Sequence, residues 1–151
     1  MLPERLACLR EAGQVLYEYY HCSVAELVSS ARGSAARLVN TLAADFDCFR
    51  DEFRFDGRRK PIRFLKRAQI FVADLWACFD GEGHGRFYDI NKITMFADYR
   101  VPQILMSMGC LYCSPPILSA IRQKKLIESG SSWEMQLRGE CTHLRCPCYS
   151  S

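Results

Sequence analysis

Residues 64–79 read FLKRAQIFVADLWACF, and this stretch decides the fold class of the chain. Its apolar side chains recur every three or four positions, which places them on one broad face of an α-helix. That face comprises Phe64, Ala68, Phe71, Val72, Leu75, Trp76 and Phe79. A helix with such a face packs against other elements, so we look for partner helices on both sides of it.

The residues before this stretch also have helical patterns. Residues 2–21 place leucines and tyrosines near helical spacing. Ser23 is followed three residues later by Glu26, which is the capping-box pattern that opens a helix. Gly33 and Ser34 interrupt that helix, and a third helix follows across residues 34–46. The N-terminal part is therefore predicted to be helical.

Shorter helices are predicted after the central one. Asp89 or Asn91 is placed to cap a helix across residues 93–97. Pro102 is tolerated in a first helical turn and predicts a further short helix, which Gly109 ends.

The last predicted helix and two exceptions complete the fold. Ser114 and Pro115 mark the start of that helix. Asp56-Gly57, between short alternating runs, predicts a small β-hairpin near residues 53–64. Residues 129–151 have small polar residues, cysteines and no helical period, so we expect loop or disorder. The expectation is an all-α protein of about six helices with one possible hairpin.

Composition excludes several protein classes. The chain has 151 residues, of which 49% are hydrophobic and 25% charged, and these values fit one globular domain. No apolar run is long enough to span a membrane, and the N-terminus lacks the apolar region of a signal peptide. Nine cysteines, an odd count without a secretory signal, favour reduced thiols and a cytoplasmic location.

The cysteines raise the question of a metal site. Cys110-x-x-Cys113 has the spacing of half a zinc site, but its neighbours are apolar. The remaining ligands would have to come from the tail, namely Cys141, His143, Cys146 and Cys148. Their spacing is not a usual zinc pairing, so we expect no metal and no cofactor. The first four cysteines fall in apparently helical segments and are expected to act as small hydrophobes.

Two stretches could bind phosphate. Residues 81–85, GEGHG, lack the spacing of a dinucleotide fingerprint and the lysine of a P-loop, so a flexible connector is expected. A basic run between Arg50 and Arg67 is interrupted by acidic residues. A solvated face is the expected role for most of it, with phosphate binding as the alternative.

Residues 93–105, ITMFADYRVPQIL, place charged side chains between two apolar runs. Asp98 lies just before the helix expected at Pro102, at a bend where side chains can converge on a cavity. One interpretation is a buried ion pair between Asp98 and Arg100 that fixes the turn. The other is a functional carboxylate. The pattern alone leaves both open.

Longer motifs in the same region resemble a known family. The stretch 64–113 contains KRAQI, VAD-W, the glycine-rich loop and DI--ITMFADYR-PQ-L, and it resembles the central block of the queuosine salvage proteins. Weaker similarity extends back to Glu4 and forward to Gly139. Members of that family are longer, so the resemblance implies a fragment or short isoform. It implies a partial helical domain at 1–139 and a divergent, disordered tail at 140–151.

The resemblance also implies a fold and an activity. The family fold is all-helical and similar to helix-hairpin-helix DNA glycosylases. Its members are queuosine 5′-phosphate N-glycosidases, hydrolases that release the base queuine. The implied partner is this small nucleotide, without direct nucleic-acid or membrane binding. The alternative is a truncated, catalytically inactive isoform.

Within this resemblance, particular residues acquire expected roles. Asp98 is the candidate catalytic carboxylate on the sugar side of the bond, and Phe96 is expected to stack on the base. Asp89 is a second acidic candidate for substrate binding, with helix capping as its alternative role. The expected donors to the 5′-phosphate are Lys66, Tyr99 and Arg100.

Overall fold

A computed structural model describes residues 2–54 and 60–142, with the side chains of 140–142 excepted. These residues form seven α-helices and one antiparallel hairpin, which confirms the prediction of an all-α protein with a small hairpin. The helices are α1 (Leu2–Tyr19), α2 (Val24–Ser30), α3 (Ala35–Asp45), α4 (Lys66–Cys78), α5 (Arg100–Ser107), α6 (Pro115–Arg122) and α7 (Ser132–Thr142). The likeness to helix-hairpin-helix DNA glycosylases stays a prediction.

The hairpin consists of two short strands, β1 (Glu52–Phe53) and β2 (Ile62–Arg63). Glu52 pairs with Arg63 and Phe53 with Ile62. The two strands lie where the sequence predicts a hairpin, whereas the predicted Asp56-Gly57 turn lies outside the described residues.

The chain divides into two compact units. The first unit comprises residues 2–51 and 65–93, and the second comprises the described residues of 52–64 and 94–142. Within the described part of the chain, no helix combines the length and apolar character needed to cross a membrane.

The core of the first unit lies between α3 and α4. Its largest fully buried side chains are Leu38, Leu42 and Val72. Ala68, one turn before Val72 on the predicted apolar face of α4, is also fully buried. The face therefore packs as its spacing indicates, although Phe79 just after the helix remains 43% exposed.

Serine side chains begin the second and third helices, as the sequence predicts. The Ser23 hydroxyl accepts a hydrogen bond from the Glu26 amide, and the Ser34 hydroxyl accepts one from the Arg37 amide. In a full capping box, the Glu26 carboxylate would accept from the Ser23 amide. Here the Ser23 amide instead donates to the Tyr20 carbonyl at 2.8 Å. These caps satisfy amides that a helix cannot pair internally.

The second unit has a small core. Phe64, Ala97 and Met135 are buried together, with Phe53 and Ile62 partly buried against them. Ile117 of α6 is also buried, but several large apolar side chains elsewhere in this unit are exposed. They are Tyr99, Ile104, Met108, Tyr112, Ile121, Leu126 and Trp133.

The predicted helix across residues 93–97 is wrong. A 3-10 turn at Ile90–Lys92 is followed by irregular chain, and α5 begins at Arg100. Asp89 cannot cap a helix there, because its carboxylate is used at the start of α3. Pro102 lies in the first turn of α5, and α6 begins at Pro115, both close to the predicted positions.

The prediction of loop or disorder from residue 129 onward is also wrong for α7. The Ser131 hydroxyl accepts from the Glu134 amide, and the Glu134 carboxylate accepts from the Gly130 amide at 2.6 Å. Met135, one residue later, is buried in the small core. Residues 131–134 read SSWE, a capping pattern that was available in the sequence. Residues 140–142 end this helix, and the rest of the predicted tail lies outside the described residues.

Candidate functional site

Asp98 lies in a tight turn that leads into α5. Its amide donates to the Phe96 carbonyl at 2.7 Å, and its carbonyl accepts from the Val101 amide at 3.3 Å. Its carboxylate Oδ1 accepts from the backbone amide of Arg100 at 3.4 Å. The carboxylate is half-buried and is oriented by the first turn of α5, where an anion also complements the helix dipole.

Tyr99 and Arg100 form an exposed polar pair beside this turn. The Arg100 Nε donates to the Tyr99 hydroxyl at 3.3 Å, and the guanidinium carbon lies 5.8 Å from the Tyr99 ring centroid. The bond to Tyr99, more than the charge of Asp98, raises the pKa of the Arg100 guanidinium above its usual value. The pair therefore presents a cationic hydrogen-bond donor to solvent.

Four of the residues predicted for the site thus lie together in the second unit. Phe96 is half-buried and joined to Asp98 through the backbone, while Tyr99 is 66% exposed. An aromatic ring, a carboxylate and a guanidinium in one short segment can provide stacking, negative charge and anion binding respectively.

Asp89 lies in the first unit, where its carboxylate holds the start of α3. Oδ1 accepts from the Ala35 amide at 2.6 Å, and Oδ2 accepts from the Ser34 hydroxyl at 2.9 Å. The Lys92 ammonium lies 3.6 Å from Oδ2, and Asp89 is only 4% exposed. Burial raises the pKa of Asp89, but these hydrogen bonds and the Lys92 charge outweigh it, so the pKa falls below its usual value.

Lys66 is the first residue of α4 and also belongs to the first unit. Its amide donates to Oδ2 of Asp51 at 3.3 Å. The preceding residue, Leu65, is buried in the left-handed region with φ 49°, a conformation that is strained for a branched apolar residue. The surrounding fold therefore holds the start of α4 in a fixed geometry, with the Lys66 side chain half-buried.

Comparison with known proteins covers both units. The sequence profile described as queuosine salvage protein matches residues 1–144. The chain belongs to the queuosine salvage protein family. Three relatives carry the name queuosine 5′-phosphate N-glycosylase/hydrolase, and this chain is 45% identical to the one from Schizosaccharomyces pombe, 40% to the one from Mus musculus and 38% to the one from Sphaerobacter thermophilus.

The similarity extends over most of this chain but over less than half of each relative. The matches cover 92%, 92% and 91% of this chain, and 40%, 40% and 42% of the respective relatives. The chain therefore spans about two fifths of the length of these queuosine salvage proteins.

The glycine-rich loop of this family member packs against the end of α4 and is more than a connector. A 3-10 turn spans Gly83–Gly85, and the His84 ring stacks edge-on against Phe79 at 5.8 Å. A Cβ placed on Gly85 would lie 2.6 Å from the Leu75 carbonyl oxygen. Glycine at 85 is thus required by close approach of two backbones, and the flexible-connector interpretation is wrong at that residue.

One open surface pocket of about 350 Å³ lies in the second unit, beside the start of α7. Its lining residues are Leu126, Ile127, Glu128, Ser131, Ser132 and Trp133. None of the site residues predicted from the sequence lines this pocket.

The cysteines differ from the sequence expectation in their surroundings. Cys22 and Cys78 are exposed, so they do not act as buried hydrophobes. The Cys113 sulfur lies 3.6 Å from the Met106 sulfur, and the Cys110 sulfur lies 3.8 Å from the Met108 carbonyl oxygen. Of the other predicted ligands, the Cys141 side chain and residues 143–148 lie outside the described part of the structure.

A cluster that the sequence analysis missed brings Cys8, Glu11 and Cys48 together. Their ligand atoms lie within 4.8 Å of one another, and all three residues are partly buried. Burial, reinforced by the charge of Glu11, raises the pKa of the Cys48 thiol. Local spacing could not reveal the cluster, because Cys48 is remote in sequence from the other two residues.

Proposed function

We propose that this protein hydrolyses the N-glycosidic bond of queuosine 5′-phosphate and releases queuine. The observation that carries the proposal is the family match over residues 1–144, because it includes the whole segment around Asp98. The relatives named for this activity give the substrate. Nucleic acid, membrane and cofactor have no part in the proposed reaction, and a cytoplasmic location stays a prediction.

The chemistry calls for a carboxylate beside the sugar. As the bond from C1′ to the base breaks, its electron pair leaves with the base and positive charge develops on the ribose. A water oxygen bonds to C1′, and a water proton is released towards the departing base. Queuine is a 7-deazaguanine and lacks the ring nitrogen that accepts a proton in ordinary purines. Stabilisation of the sugar cation is therefore the main task, and we assign it to Asp98.

The neighbours of Asp98 suit the other parts of the substrate. Phe96 can stack on the base, and Tyr99 with Arg100 can donate to the 5′-phosphate. Lys66 belongs to the first unit and stays a phosphate donor predicted from the sequence. Asp89 stays a predicted substrate residue, although its contacts with Ser34 and Ala35 favour the helix-capping role.

A second candidate function is an inactive short chain that acts only through protein contacts. It is favoured by the exposed large apolar side chains, among them Tyr88 in the first unit and Tyr112 in the second, which are available for contact with another protein. Incubating this chain with queuosine 5′-phosphate and measuring queuine separates the two. Release with turnover supports the hydrolase, whereas no release from a folded chain supports the inactive form.

The role of Asp98 is tested in a complete protein carrying this block. We expect Asp98→Asn to lower queuine release by about 10²–10³-fold, because an amide cannot supply the negative charge that stabilises the sugar cation. Substrate binding and melting temperature should change little. Both turnover and melting temperature are measured on one preparation.

The opposite pattern would remove Asp98 from the mechanism. If its carboxylate only fixes the turn before α5, the Asn variant melts earlier and turns over normally per folded molecule. Thr94→Ala, in the same irregular segment, serves as a control for local disturbance.

A further inference from the structure

Helix α1 lies on the surface of the first unit and has no buried residue. Its Cys8 and Glu11 are three positions apart, so they share one face of the helix. Cys48 meets them from the 3-10 turn Asp47–Phe49. The two sulfurs and the carboxylate oxygen lie within 4.8 Å of one another. Helix and turn thus contribute to one cluster of possible metal ligands.

We propose that Cys8, Glu11 and Cys48 bind a thiophilic divalent cation, of which zinc is the main representative. Two thiolates and a carboxylate are a donor set that zinc accepts, and the soft sulfurs discriminate against calcium and magnesium. Zinc-sulfur bonds of about 2.3 Å in a tetrahedron separate two sulfurs by about 3.8 Å. Small side-chain rotations therefore suffice to close the cluster around an ion.

The surroundings support ligation. The Glu11 Oε1 accepts a hydrogen bond from the amide of Asp47, the residue just before Cys48. A bond of this kind orients a ligating carboxylate. Arg67 Nη1 donates to the Cys48 carbonyl at 3.4 Å. The cation and Arg67 together carry three positive charges, which match two thiolates and one carboxylate.

The bound ion would fasten α1 to the turn that follows α3. The Glu11 carboxylate of α1 already accepts from the Asp47 amide, and Tyr20, just after the helix, donates its hydroxyl hydrogen bond to Asp45. Metal ligation adds to them, because binding free energy at such a site contributes to folding. This role is independent of the proposed hydrolysis, since the cluster and Asp98 belong to different units.

Cobalt is the probe for the test, because thiolate-bound Co²⁺ absorbs in the near ultraviolet and visible. The full chain is used with five other cysteines replaced by serine, so that they do not compete. They are Cys110, Cys113, Cys141, Cys146 and Cys148. Titration under reducing, anaerobic conditions should give one cobalt per chain with thiolate charge-transfer bands, and zinc should displace it.

Single substitutions then locate the ion. Cys8→Ser and Cys48→Ser should each abolish the charge-transfer bands, and Glu11→Gln should weaken cobalt affinity by about tenfold or more. Cys22→Ser and Cys78→Ser are the matched controls, because these thiols are exposed and outside the cluster. Far-ultraviolet circular dichroism verifies that each variant keeps its helix content.

Thiol alkylation of the unsubstituted chain provides a second measurement. Zinc should protect Cys8 and Cys48 from maleimide while Cys22 and Cys78 react at unchanged rates. The proposal is overturned by cobalt binding that survives Cys8→Ser, or by the absence of both cobalt bands and zinc protection. A Cys8–Cys48 disulfide trapped directly from cells would likewise overturn it in favour of a redox pair.

Discussion

The first unit has a large buried apolar core, whereas the second unit has a small one. Leu38 and Val72 are completely buried between α3 and α4 in the first unit. The small core of the second unit is built around Phe64 and Met135. Both units expose large apolar side chains, so the size of the buried core is what distinguishes them. The first unit is thus expected to be the more stable one by its own packing, while the second carries the proposed Asp98 site.

Core truncation should produce the largest difference between the units. We expect Leu38→Ala to destabilise the first unit by about 2–5 kcal/mol, because a fully buried leucine leaves a cavity. Met135→Ala, in the smaller core of the second unit, should cost less, because fewer neighbours enclose it. Hydrogen exchange resolved by peptide measures the opening free energy of each unit. Equal costs for the two substitutions would contradict the comparison.

The glycine-rich loop gives the next largest effect. Gly85→Ala should destabilise the first unit by roughly 1–3 kcal/mol, because the added Cβ meets backbone at Leu75. Gly13→Ala is the control, since a Cβ added at this position inside α1 would have no neighbour within 4 Å among the described residues. Alanine there should stabilise the helix slightly. The free energy of unfolding, measured by denaturant, should therefore fall for Gly85→Ala and rise slightly for Gly13→Ala. An unchanged value for Gly85→Ala would show that the loop can move to accommodate the added Cβ.

Local signals in the sequence identified most of the helices. The spacing in residues 64–79 indicated α4, and Ser23 and Ser34 marked helix starts that the structure has. The failures arose where a partner is distant in sequence. The pattern predicts that Asp89 or Asn91 caps a helix just after it, yet Asp89 caps α3, more than fifty residues earlier in the chain.

The candidate site was predictable only in part, for the same reason. The grouping of Phe96, Asp98, Tyr99 and Arg100 follows from one contiguous motif, so the sequence suffices to place them together. Their roles stay predictions, because a motif carries no substrate geometry. The Cys8, Glu11 and Cys48 cluster depends on how α1 docks on a turn, which neither composition nor periodicity specifies.

The Asp89 carboxylate should make the stability of the first unit depend on pH. Asp89→Asn should destabilise the first unit by roughly 1–2 kcal/mol at neutral pH, because charge-assisted bonds to the start of α3 are lost. Its pKa in the folded state lies below the usual 3.8, so its stabilisation is fully present above that value and disappears as pH falls through the folded pKa.

The measurement is the difference in unfolding free energy between wild type and Asp89→Asn across acidic pH. That difference should stay constant above about pH 5 and shrink below 3.8. Asp74→Asn, at an exposed position of α4, is the control and should leave stability nearly unchanged. If the difference in unfolding free energy instead grew at acidic pH, the ionised carboxylate of Asp89 would not be its stabilising protonation state.

The smallest predicted effect concerns Arg138, which stabilises the second unit without adding to its apolar core. Its guanidinium carbon lies 4.3 Å from the Phe64 ring centroid and 5.5 Å from that of Phe53, and its Nη1 lies 3.4 Å from Glu134. Arg138→Met keeps most of the volume but removes the cation, so we expect a loss of about 1 kcal/mol. Hydrogen exchange of α7 should quicken accordingly.

Arg122→Met, on the exposed surface of α6, is the matched control and should change exchange very little. Because the second unit has few buried side chains, a loss of this size should open α7 measurably, whereas the first unit should keep its protection. If Arg138→Met leaves α7 unchanged, the aromatic contacts of Phe53 and Phe64 hold the hairpin and helix together by apolar packing alone. Faster hydrogen exchange confined to the second unit would show that the Arg138 cation contributes to the stability of that unit. Its small apolar core would then be insufficient without this contact.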